Sequence, residues 1–321
     1  MENTGDGDFP PLAPEAAPFV LFLSRKRGKR REKEAFYSVS QDKAFKERMV
    51  ELNGGKTLHW ITPDGWFLVC DRKSCATFLW TPMTKQRIEL PPLDEQDRPA
   101  PRRSVCLLSH KPADPNCVVL LAHLEMPAFW FCRRGAAGSR WAKHDYAQEG
   151  MQITRIAAAG GEFRIDLHHS IATLRFTPSP TFTREAVEHV GWMDTYHAAL
   201  CRLVESCGEL FKVVVFTVSP TCSSINGVRV YRMDFSGRTW RRVTEFGDRA
   251  FFLDPIAWGA SCSARQFGLD QGCVYFLSGK SGIVLVSRPK EGTTQLWRSR
   301  GGLKAERVMY SFLMPLAPCD S

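Results

Sequence analysis

From Phe36 onward this chain is cut into short apolar or alternating runs, each bounded by Gly, Asp, Asn, Ser or Pro, and that punctuation restricts it to β-strands joined by turns. Gly65-Trp66-Phe67-Leu68-Val69-Cys70-Asp71, a polar turn over 72–75 and Ala76-Thr77-Phe78-Leu79-Trp80 read as strand, turn and strand, closed by Pro82 and the Pro91-Pro92 pair. The same reading applies to 117–124 with 129–133, to 200–206, 209–218, 228–235 and 238–243, and to 273–277, 283–287 and 294–298. Only 41–52 and 183–200 carry apolar residues at helical spacing, which predicts at most a few short helices.

The hairpins recur. Their first strands start near Phe78, Phe129, Val230 and Ile283, at separations of 51, 101 and 53 residues, so one unit of the series falls between Ile153 and Pro178. A repeat of about 50 residues built of several strands is the period of a kelch-like propeller. The expected architecture is therefore an all-β propeller of about six to seven four-stranded blades. Continuous apolar runs such as Val118-Val119-Leu120-Leu121 and Val213-Val214-Val215-Phe216 suit inner strands covered on both faces. Alternation in Val230-Tyr231-Arg232-Met233-Asp234-Phe235 suits a strand nearer the rim. A pair of β-sandwiches also accommodates the two-sided runs, and the repeat favours the propeller. Hydrophobic residues make up 44% of the 321, ample for such a core.

The N-terminal region has a different texture. Residues 1–18 carry Glu2, Asp6, Asp8 and Glu15, several prolines and no Lys or Arg, and Arg25, Lys26, Arg27, Lys29, Arg30, Arg31 and Lys33 then crowd together around a single acid, Glu32. The expected division is a mostly disordered acidic, proline-rich and then basic segment over 1–35, followed by the propeller over 36–318. Within an overall charge of +9, the run 25–33 reads as a nuclear-import or polyanion-binding stretch, or as a solvated loop between two strands. Eleven cysteines, an odd number set mostly inside apolar runs, suit free thiols in a reducing compartment. No apolar run is long enough for a membrane anchor, and the expected location is cytoplasmic, nuclear or both.

No catalytic signature is complete. Ser278-Gly279-Lys280-Ser281 ends like a phosphate loop, but Val274 stands where the first glycine is required. Gly259-Ala260-Ser261-Cys262-Ser263 ends in serine where a nucleophile elbow needs glycine. Asp166 and His168 share one face of a strand while His169 points to the other, which fits partly exposed residues at a blade edge better than a metal site. Cys70 and Cys75 lack a second ligand pair, and Glu205 and Glu209 flank a turn as solvated carboxylates. Trp141, Trp240 and Trp297, each beside cations, read as wedges between blades, the alternative being stacking platforms for single-stranded nucleic acid. Asp248 and Arg249 are expected to pin their loop by a local hydrogen bond or ion pair. No catalytic residue, cofactor or metal is assigned.

Four stretches carry a family resemblance: Gly65-Trp66-Phe67-Leu68-Val69 with Trp80-Thr81-Pro82-Met83-Thr84 and Ile88-Glu89-Leu90-Pro91-Pro92; Leu203-Val204-Glu205-Ser206-Cys207-Gly208-Glu209-Leu210-Phe211; Val230–Phe235 leading to Trp240 and Phe246-Gly247-Asp248-Arg249-Ala250-Phe251-Phe252-Leu253; and Ser261-Cys262-Ser263-Ala264 through Gly268-Leu269 to Gly272-Cys273-Val274-Tyr275-Phe276-Leu277. In this order they resemble the plant F-box-associated β-propeller family often called KIB-type. The resemblance implies a propeller that holds a protein partner, with a Skp1-like adaptor and a shaggy-like kinase as the partner classes. The residues before the first expected strand are too few for an F-box and differ from one in composition. The chain is read as a non-enzymatic interaction propeller; the alternatives are an enzyme with its site at the propeller mouth and nucleic-acid binding through 25–33.

Overall fold

The structure is a computed structural model that describes residues 12–25, 32–45, 49, 51–52, 56–96, 98–135, 138–188, 197–217, 225–256, 258–277, 284–296 and 308–314. Among these residues, twenty-five strands form six sheets, the blades of a propeller. Blade 1 holds β1 (Phe19–Arg25), β2 (Glu32–Ser38) and β3 (Lys43–Phe45). Blade 2 is β4 (Thr57–Ile61), β5 (Phe67–Asp71), β6 (Thr77–Trp80) and β7 (Arg87–Leu90), and blade 3 is β8 (Ser104–Leu108), β9 (Val118–His123), β10 (Ala128–Arg133) and β11 (Ala142–Asp145). Blade 4 is β12 (Ile156–Ala159), β13 (Glu162–Asp166), β14 (Ser170–Arg175) and β15 (Thr181–Ala186), which fills the expected place in the repeat. Blade 5 is β16 (His197–Ser206), β17 (Glu209–Thr217), β18 (Ile225–Asp234) and β19 (Thr239–Val243).

Blade 6 departs from the four-stranded pattern. It contains β20 (Ala250–Leu253), β21 (Gly259–Cys262), β22 (Cys273–Leu277), β23 (Val284–Arg288) and β24 (Thr293–Leu296), in the order β21-β20-β22-β23-β24, with β20 parallel to β22. The ring closes through β25 (Val308–Leu313), which pairs antiparallel with β1 so that blade 1 is assembled from both ends of the described chain.

This closure overturns the expected boundary at residue 35. Residues 19–25 and 32–35 are strands of blade 1, and Leu12, Ala16 and Ala17 are buried in the largest core cluster. Proline and charge made that stretch look unstructured, whereas pairing with β25 supplies its backbone partners. The helical readings also fail where they can be seen: Lys43–Phe45 and Thr181–Ala186 are strands, and 46–48 and 189–196 lie outside the described residues. Helical structure among the described residues is limited to three single-turn 3₁₀ segments, and none is long and apolar enough to cross a membrane.

The four hydrophobic clusters are layers between blades. One joins blades 2 and 3, a second blades 4 and 5, a third blades 5 and 6, and the largest runs through the remaining contacts. Every residue of β8, β9 and β22 is buried, while β7 and β11 alternate between half-buried and exposed positions at the rim. On β18, Tyr231 and Met233 face the blade 4 layer and Val230 the blade 6 layer. Phe235 lies beyond the strand end, 43% exposed, with the Arg164 guanidinium 5.3 Å from its ring.

Candidate functional site

The inner strands bring two sets of polar residues to the axis. At one end lie the turn after β4 and the end of β16. Burial of that turn within the ring, reinforced by the Glu205 charge, pushes Asp64 up to about 7, although the residue still meets solvent. Glu205 is also raised, by burial, and its Oε1 accepts the Gly208 N–H at 2.8 Å. Gly65, at φ +73, packs against the Met314 carbonyl just past β25.

At the other end, the tight turn between β20 and β21 reaches across the axis. Asp254 N–H donates to Trp258 O at 2.9 Å, and Asp254 Oδ1 accepts the Ile256 N–H at 2.8 Å. Ser311 Oγ of β25 donates to Asp254 Oδ2. Arg202 of β16 grips the turn through Nε to Asp254 O and Nη2 to Pro255 O, both at 3.0 Å. The turn is thus a plug, held by blades 1 and 5, and it borders a cavity of about 30 Å³ shared with β4 and β8. His59 of β4 lines this cavity, and burial together with the Arg72 charge lowers its imidazole to about 4.

Away from the axis, side chains lock blade to blade. Asp166 Oδ1 lies 2.8 Å from Lys212 Nζ of blade 5, and its Oδ2 lies 3.0 Å from Arg155 Nε. All three are shielded from solvent, and the Lys212 ammonium also sits 4.3 Å from the Trp240 ring centre. Trp141 Nε1 crosses from blade 3 to donate to Pro91 O at 2.9 Å, so the wedge expected at Trp141 and Trp240 is present. Trp297 lies outside the described residues. Between blades 5 and 6, Arg249 donates to Phe246 O, Ser206 Oγ and Glu209 Oε2 at 3.0, 3.1 and 2.7 Å.

These contacts decide the sequence candidates. Asp166 is a buried tie between blades, 2% exposed, and not the half-exposed edge residue expected; Lys212, a lone cation inside the apolar run of β17, was the sign of a buried carboxylate opposite. His168 takes positive φ in the turn after β13. Glu209 is ion-paired with Arg232 and Arg249, so it is not a freely solvated carboxylate. Asp248 accepts from Ser263 Oγ and the Arg265 N–H, which pins its loop as expected. Ser261 Oγ donates to Glu205 O. Burial pushes Cys117 to about 11 and Cys132 to about 12, leaving both as protonated apolar groups. Of the basic run, Arg25 and Lys33 belong to the facing ends of β1 and β2, while Lys26, Arg27, Lys29, Arg30 and Arg31 lie outside the described residues, as do 278–281. His59, Arg202 and Asp254 were not singled out from the sequence; a histidine and an arginine inside otherwise apolar strands were the available signals.

Among solved structures, the chain is similar to a functionally unknown protein from Desulfotomaculum acetoxidans, at 11% identity over 92% of this chain and 99% of that one, with a TM-score of 0.46. It is similar at 9% identity to virginiamycin B lyase from Staphylococcus aureus, over 94% and 93% of the two chains with a TM-score of 0.41. A fungal alcohol oxidase in complex with copper matches at 6% identity over 86% and 68%, also with a TM-score of 0.41. Likenesses this distant carry no argument about activity. A search of curated proteins finds no match. The family comparison is decisive: residues 36–296 match the KIB1-4 beta-propeller model, and the chain belongs to that family.

Proposed function

We propose that this propeller is a non-enzymatic interaction module that holds a protein partner on its surface. The observation that carries this reading is the commitment of four acidic side chains to the framework. Asp166, Glu209, Asp248 and Asp254 each spend their carboxylates on ties between strands or blades. A general acid or base must reach a reacting group, and these four carboxylates instead hold the ring together; Asp64 and Glu205, both raised at the opposite end of the axis, are outside this set and are where the enzyme alternative would have to place its chemistry. A rigid ring is what a recognition surface needs, since little order remains to be lost on binding.

The KIB-type resemblance suggests a shaggy-like kinase or a Skp1-like adaptor as the partner. The basic segment Arg25, Lys26, Arg27, Lys29, Arg30, Arg31 and Lys33 belongs to the same proposal, as an import signal or as a contact for acidic partners. The test is titration of the purified full chain with each candidate by calorimetry, beside a variant with the seven cations changed to Gln. Saturable binding to either protein supports the reading. Failure to bind both, together with no cross-linked protein partner in plant extracts, overturns it.

A further inference from the structure

The plug and its cavity contain a feature that the interaction reading leaves unused. His59 is only 7% exposed, and neither ring nitrogen has a hydrogen-bond partner among the described residues. A buried imidazole in that position incurs the full desolvation cost of two polar atoms. It shares its cavity with Trp60, Ser104, Asp254, Trp258 and Ser311. Trp60 Nε1 donates to Ser104 Oγ, which donates to Ala100 O, so that hydroxyl keeps a lone pair. Ser311 Oγ, whose O–H donates a hydrogen bond to Asp254, also keeps acceptor capacity.

The chemistry needed here is a small neutral group that both donates and accepts. A neutral imidazole offers one N–H and one bare nitrogen. An anion would meet the Asp254 carboxylate that lines the cavity, and a cation would find that carboxylate already beside the Arg202 guanidinium, which grips the same turn from outside the lining. The cavity, at about 30 Å³, is large enough for one or two waters. We infer that this is an internal water site, in which bound water satisfies the His59 ring and bridges it to Ser311 and Asp254. Blade 2 would thereby be tied to the closing strand and to the plug, three parts of the chain far apart in sequence.

The test is a crystal structure of the full chain, grown without ammonium salts and resolved well enough to place solvent, together with melting of two variants. Water within hydrogen-bonding distance of a His59 ring nitrogen and of Ser311, Asp254 or Ser104 is the expected result. His59→Leu should then melt below the parent by about 2 °C or more, since the water loses a partner, while His59→Gln should stay closer to it. A dry cavity overturns the inference, as does a His59→Leu variant that melts above the parent, which is the behaviour of an orphaned polar group replaced by carbon. Should His59→Leu fail to fold, the solvent density of the parent decides.

Discussion

Removing the Asp166 carboxylate should be among the most damaging single changes available. In Asp166→Ala, Lys212 and Arg155 lose the anion that lies 2.8 and 3.0 Å away, and their side chains are only 4% and 14% exposed. Breaking a buried pair by deleting one partner costs about 3–5 kcal/mol, because the charge left behind can neither pair nor hydrate. At about 2 cal/mol/K of unfolding entropy per residue over 321 residues, that corresponds to a fall in Tm of roughly 5–8 °C. Scanning calorimetry on parent and variant measures it directly. Lys212→Met is the control, since it leaves the Arg155–Asp166 pair intact and should cost about half as much or less. An Asp166→Ala variant within about 1 kcal/mol of the parent would refute the reasoning, as would a Lys212→Met variant that is equally unstable.

Ring closure can be probed at Gly65, where Ala would need positive φ and would drive its Cβ into the Met314 carbonyl; Gly65→Ala should cost about 1–3 kcal/mol and raise amide exchange in β25 above that of β9. Trp141→Phe keeps the apolar wedge but loses the bond to Pro91 O, so a loss of about 1 kcal/mol in urea unfolding is expected. Two axial groups give stability opposite pH dependences. His59, lowered to about 4 from 6.5, stabilises fully above pH 6.5 and loses that contribution as pH falls toward 4, by at most about 3 kcal/mol, and His59→Gln should flatten this limb. Asp64, raised from 3.8 to about 7, acts the other way: stability falls as pH rises from about 4 to 7, and Asp64→Asn should be more stable than the parent at pH 8 while matching it near pH 4.

The blades were legible in the chain because a strand buried on both faces has a local signature. Val118–Leu121 and Val213–Phe216 are apolar at every position, and both are buried throughout. Of the four hairpins that set the repeat, three contain β6, β10 and β18, each third from the axis in its blade, so there the period reports a true structural equivalence; the fourth contains β23, displaced to fourth place by the extra strand of blade 6. Trp141 and Trp240 were legible as wedges for the same reason, since an aromatic residue recurring at one blade position meets the same neighbour each time.

What the sequence determined by itself was therefore the local pattern: strand, turn and period. Tertiary structure alone decided which distant residues meet. β1 gains its innermost neighbour from Val308–Leu313, nearly the whole chain away, and no local property of Phe19–Arg25 announces that pairing. Asp166 becomes a buried tie only because blade 5 sets Lys212 against it, and His59, Asp254 and Ser311 converge only once the ring has closed. The physical reason is one of range: backbone propensity and side-chain alternation act over a few residues, whereas desolvation and ion pairing depend on whatever the closed ring brings alongside.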